Sequence, residues 1–77
     1  MKHFLLIYDR MRGELREKPT VFEDVSVATR ERNRRELEFL ADPNIEVVVL
    51  GSASLEDLTK THSRYFFSAD ALLRSAS

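Results

Sequence analysis

The chain of 77 residues has no cysteine. No disulfide can staple it, and no thiolate can hold a structural zinc. A cysteine-free composition fits a reducing compartment, so a cytoplasmic location is expected. Long apolar runs are also missing. The longest, Phe4-Leu5-Leu6-Ile7-Tyr8, has five residues. That is too few for a signal-peptide core or a membrane span, and no membrane contact is expected. Net charge is close to zero, with 12 basic residues against 13 acidic ones. This excludes the global basic footprint of a nucleic-acid binder. His3 and His62 are the two histidines, too few for a convincing metal site. Neither a G-x-G-x-x-G nor a Walker loop occurs. No cofactor is expected, and no repeat, linker or low-complexity segment divides residues 1–77, which read as one small domain.

A domain of this size buries only about 60–65% of the surface its unfolded chain exposes. With no staple, self-association is one route to sufficient stability.

The strongest strand signal is Ile45-Glu46-Val47-Val48-Val49-Leu50, closed by Gly51. Its β-branched residues fit a pleated surface. The run Phe4 to Tyr8 reads as a first strand, apolar on both faces and hence interior to a sheet. Gly13 marks a turn after it. Residues 14–18 could return as a short, charged edge strand, with Pro19 behind it.

Thr20-Val21-Phe22-Glu23 matches a capping box, which predicts a helix over residues 21–41. Pro43 stops it. Val21, Phe22, Val25, Ala28, Phe39 and Leu40 fall on one face at helical spacing, with Arg32 and Glu36 in the middle of that stripe. Ser54 and Asp57 predict the start of a second helix by the same box. Leu55, Leu58, His62, Tyr65 and Phe66 share its face. Residues 69–74 could add one more turn.

The pattern is α+β: a three-stranded sheet in the order β-β-α-β-α, spatially 2-1-3, with two main helices on one face. That arrangement leaves the other sheet face apolar. Leu5 and Ile7 with Val48 and Leu50 are the candidate interface residues. Either residues 69–74 or a second subunit would cover them, and a homodimer or larger homo-oligomer is expected.

Three motifs carry chemical possibilities. Gly51-Ser52-Ala53-Ser54 precedes a helix start, where free amides attract anions. Glu56 and Asp57 in the first turn oppose that, and a plain strand-to-helix connection is the simpler account. Arg30, Arg32, Arg34 and Arg35 could grip a phosphate backbone. Glu31, Glu36 and Glu38 are threaded among them and no aromatic is present for stacking, so a solvated, ion-paired helix face accounts for them. Tight nucleic-acid binding is not expected. His62, on an apolar helix face, is usually a hydrogen-bonded core residue. Paired with Glu36, and with Arg32 near, it could instead do acid–base work.

Lys2-His3-Phe4-Leu5-Leu6-Ile7-Tyr8-Asp9-Arg10 with Gly13-Glu14-Leu15, and the closing stretch from Glu46 to Leu58 with Thr61-His62-Ser63-Arg64-Tyr65-Phe66, resemble a set of short uncharacterised actinobacterial proteins. The resemblance implies a bacterial cytoplasmic setting. It brings no activity, ligand or site residue with it. On the residues themselves, the expected function is a non-enzymatic protein-interaction module that self-associates through its sheet. The alternatives are a nucleic-acid-associated protein using residues 30–35, and a small enzyme or ligand binder around His62, Arg32 and Glu36.

Overall fold

A computed structural model of the chain describes residues 1–66. The elements are β1 (Lys2–Asp9), β2 (Glu14–Leu15), β3 (Thr20–Phe22), α1 (Val25–Glu38), β4 (Ile45–Ser52), α2 (Leu55–Thr61) and a single 3-10 turn over Ser63–Tyr65. The chain is α+β as expected, but its sheet has four strands rather than three.

β1 is the centre. Phe4, Leu5, Leu6, Ile7 and Tyr8 are all buried, which is why the run is apolar at consecutive positions rather than alternate ones. β4 pairs antiparallel along its whole length, from Lys2↔Ser52 to Asp9↔Ile45. β2 and β3 also pair antiparallel with β1, at Tyr8–Asp9 and at His3–Leu5. With β4 filling one edge, both must lie end to end along the other.

The fourth strand arises because the return strand is interrupted. Gly13, at φ 66°, closes the turn after β1, a conformation in which a Cβ would be strained. Tyr8 then meets Leu15, but Leu5 meets Thr20 instead of Lys18. Two extra residues bulge out before Pro19. The bulge is tied down from α1: Arg35 donates to both carboxylate oxygens of Glu17 at 3.0 Å each. Arg16 and Arg35 lie over the Phe39 ring, 5.4 and 5.8 Å from its centroid.

The expected helix over residues 21–41 is therefore shorter. Thr20-Val21-Phe22 joins the sheet, and Asp24 caps α1 by accepting from the Ser26 N–H at 2.7 Å. The capping-box reading of Thr20 and Glu23 was outcompeted by strand pairing. β1 has free backbone groups at His3 and Leu5 that a β-branched and aromatic triplet can satisfy. The second helix starts as expected, with the Ser54 hydroxyl accepting from the Asp57 N–H at 3.1 Å.

The largest correction concerns the layers. The helices lie on opposite faces of the sheet. Phe4, Leu6 and Tyr8 pack with Leu58 and Tyr65 and with the half-buried Val48, Leu50 and Phe66. Leu5, Ile7, Ile45 and Val47 pack with Phe22 and Phe39 on the α1 side. A crossover from β3 to β4 commits α1 to one face. α2 follows the last strand, has no further strand to reach, and is free to cover the face left bare. Leu5 and Ile7 are thus buried within one chain, at 3% and 1% exposure, and cannot serve as an interface. Residues 69–74, the other expected cover, lie outside the described residues.

This layering predicts the response to truncation. Leu58→Ala opens a cavity in the α2-side core and should cost about 2–5 kcal/mol in denaturant unfolding. Met11→Ala, at a position 88% exposed, should stay within about 0.5 kcal/mol.

Candidate functional site

The arginine run is placed on α1 as expected, and most of its charge is used internally. Arg34 donates to Glu31 (Nε to Oε2, 3.0 Å) and to Glu38 (2.6 Å). The Glu31 carboxyl is held below its ordinary range by the Arg34 hydrogen bond. Arg35 is taken by Glu17, and its Nε lies 3.0 Å from Glu38 without the alignment of a hydrogen bond. Arg32 pairs with Glu36 at 3.2 Å, one helical turn on, with the two side chains 37% and 51% exposed. The pair thus lies at the surface rather than within the apolar stripe. Arg30 is exposed. Exposed pairs of this kind contribute about 0.2–1 kcal/mol each.

His62 is half-exposed at the C-terminal cap of α2, its backbone N–H donating to the Leu58 carbonyl. α2 packs on the Leu6 face and α1 on the Leu5 face. The sheet therefore separates His62 from Arg32 and Glu36, and the three are not brought together. Among the described residues, no group of three His, Cys, Asp or Glu is placed to hold a metal.

The residues that do converge lie at the start of β4. Glu46 is the one charged side chain in β4. It accepts from the Tyr65 hydroxyl, from Arg64 (3.0 Å) and from Arg10 (3.4 Å). Tyr65 stands edge-on to Tyr8, ring centroids 5.1 Å apart, and Arg64 lies over the Tyr65 ring at 4.0 Å. Burial, and then the Glu46 hydrogen bond, push the Tyr65 hydroxyl up to about 12. Burial alone would raise Glu46, but the Tyr65 hydrogen bond and the Arg64 charge outweigh it and hold the carboxyl below its ordinary value. The two shifts agree on a phenol donating to a carboxylate. Every partner is satisfied, which is the character of a clamp joining β4 to the 3-10 turn rather than of a reactive group. Arg10 also donates to the Pro43 carbonyl at 2.9 Å. Asn44 donates to Asp9 at 2.8 Å and accepts from the Met11 N–H at 2.7 Å. The hairpin is thereby fastened to the entry of β4.

With its start fixed, β4 presents an edge. Among the described residues it pairs with β1 alone. The phase of the ladder follows from one bond: the Arg10 N–H donates to the Asn44 carbonyl at 3.0 Å. Antiparallel pairs alternate between bonded and non-bonded, so Glu46, Val48, Leu50 and Ser52 aim their backbone groups at β1. Ile45, Val47, Val49 and Gly51 aim theirs outward. The Ile45 N–H is turned back to Asp42; the amides of Val47 and Val49 remain on the open side. No proline or lysine guards the strand, which natural edges commonly carry.

One groove flanks this edge on the α1 side, and a second hollow adjoins it on α1 itself. The groove, of ≈ 330 Å³, is lined by Glu36, Phe39 and Leu40 against Ile45, Glu46 and Val47. The other, of ≈ 340 Å³ and mostly apolar, is lined by Asn33, Glu36, Leu37 and Leu40. Leu37 and Leu40 are 71% and 77% exposed. α1 thus leans over β4 with an uncovered apolar ridge. A third hollow by the hairpin, between Asp9, Arg12, Glu14, Leu15 and Arg16, mixes both signs of charge.

No family model matches the chain, and no curated protein or solved structure matches it. The site is therefore known by its geometry. Sequence reasoning missed Glu46, Tyr65, Arg64 and Arg10. One signal was legible: a single carboxylate inside a valine-rich strand needs a partner.

The clamp predicts two titrations. Unfolded, Tyr65 ionises near the ordinary value of about 10; folded, it is raised to about 12. Its contribution to stability is complete below the unfolded value and is lost as pH rises through the folded one. Ultraviolet titration of wild type against Tyr65→Phe should show one late phenol that the variant lacks. Glu46 is lowered, so its contribution is present above the unfolded value of about 4.3 and is lost on acidification. Glu46→Gln should flatten the acid limb of the stability curve.

Proposed function

We propose that the chain is a non-enzymatic protein-interaction module that associates with a second copy of itself through the open edge of β4. The observation that carries this reading is the edge itself: eight residues long, valine-rich, free of proline and lysine, with backbone groups of alternate residues turned outward. Strand addition satisfies such groups directly. Of the two routes the 2-1-3 order allows, an open sheet face and pairing edge to edge through Glu46 to Leu50, this reading takes the second. Each sheet face has its own helix, so the driving force is backbone pairing at an edge, with Val48 and Leu50 flanking it, and not an uncovered face. A cytoplasmic setting accords with the cysteine-free composition, and no described helix is long and apolar enough to cross a membrane.

The nucleic-acid reading loses support because Arg32, Arg34 and Arg35 spend their guanidinium groups on carboxylates of their own chain. The acid–base reading loses support because the sheet stands between His62 and Glu36. Salt-dependent retention on heparin or on duplex DNA should be weak. A sub-micromolar affinity at physiological salt that falls on replacing Arg30 and Arg34 would restore the nucleic-acid reading.

Sedimentation at micromolar concentration tests association. The expected mass is twice that of the 8.9 kDa chain. Val49→Pro removes an amide on the open side of β4 and leaves the β1 ladder intact; edge strands tolerate proline there. It should sediment as a folded monomer. Val48→Pro removes an amide that faces β1 and should lower the unfolding midpoint instead.

A further inference from the structure

We infer that the association is a two-fold dimer centred on Val48, and that the end of α1 and the turn after it complete it by laying Leu37 and Leu40 against the α1 of the second copy. This rests on self-association through β4 and specifies its geometry.

The ladder phase restricts the register. Ile45, Val47, Val49 and Gly51 aim outward, and two identical antiparallel strands bond through residues of that set. A two-fold axis at Val48 brings Val47 opposite Val49 of the second copy, and Ile45 opposite its Gly51. All four outward residues then find a partner, with the Ile45 N–H alone already given to Asp42. An axis at Val47 or Val49 leaves one end of the strand overhanging. The same register sets Glu46 across from Leu50, so no carboxylate faces its own copy, whereas an axis at Glu46 would oppose two like charges. Glu46 keeps its bonds to Tyr65, Arg64 and Arg10.

The helix follows from the same axis. A two-fold that pairs antiparallel edges stands perpendicular to the sheet, so both α1 helices lie on one face of the joined sheet and run antiparallel beside the axis. The side of α1 turned toward β4 is the one that lines the groove with Ile45 and Val47. It leads to Leu40, just past the helix end, and Leu37 adjoins Leu40 in the second hollow; these are the two most exposed leucines among the described residues. The opposite side is engaged with Glu17 through Arg35. The apolar ridge is therefore continuous with the open edge, and closure of one covers the other. A closed isologous contact of this kind uses one patch twice.

The chain has no cysteine, so single-cysteine variants report the register without background. At a two-fold axis in a non-bonded antiparallel pair, the Cα atoms stand about 4.5 Å apart, within disulfide reach. Val48→Cys should cross-link to itself on mild oxidation. Val47→Cys and Val49→Cys should not, because each faces the other position and lies beyond the reach of about 7 Å from its own copy. Leu37→Glu and Leu40→Glu should each weaken dimerisation by about tenfold or more while leaving the circular dichroism and unfolding midpoint of the monomer unchanged. A wild-type dimer in which Val47→Cys or Val49→Cys links and Val48→Cys does not overturns the register while self-association stands. A dimer indifferent to both glutamates overturns the role of α1. A wild-type chain that sediments as a monomer at 100 μM overturns this inference together with the reading beneath it.

Discussion

The rest of the molecule depends on β1 being satisfied in every direction. Its even-numbered residues bond to β4 and its odd-numbered ones to the return strand. Its side chains enter one core above the sheet and another below. A strand so placed must be apolar at each successive position, because both faces are dry. It also needs both helices, one for each face, and a partner on each edge. The bulge before Pro19, the Asp24 cap and the clamp at Glu46 are local solutions to holding those partners in register.

The fold was legible where short-range chemistry decides it. Five consecutive apolar residues identified the central strand. Ser54 and Asp57 identified the start of α2, and Gly13 the turn after β1. The place of Ile45 to Leu50 beside the first strand followed from the 2-1-3 order. What failed needed long-range information. Thr20-Val21-Phe22 is as good a helix start as a strand, and the free edge of β1 decided the matter. The side taken by α2 is set by which face α1 has already covered, and no residue in α2 states it.

The candidate site was less legible than the fold. The arginine cluster drew attention because four guanidinium groups sit within six residues, yet Glu17, eighteen residues before Arg35, claims one of them, and Glu31, Glu36 and Glu38 claim others. Such pairs make the helix a solvated face. Glu46 carried the more useful signal, since a carboxylate in a β-branched run is costly unless it is met, but sequence could not say that Tyr65 and Arg64 meet it. The exposed Leu37 and Leu40 were not legible: Leu40 was placed on the core stripe, and it lies exposed because the helix ends at Glu38.

What distinguishes β4 from β1 is that only one of its edges is met by the described chain. Among the described residues its hydrogen-bonding inventory is therefore incomplete by alternate residues, and the proposal is that a second copy completes it. Amide hydrogen exchange followed residue by residue tests this most directly. Val48 and Leu50, whose amides face β1, should be protected at any concentration. Val47 and Val49 should be protected as well, and their protection should fall on dilution. Rapid exchange at Val47 and Val49 at every concentration, beside slow exchange at Val48 and Leu50, would show an edge that nothing covers and would contradict the account.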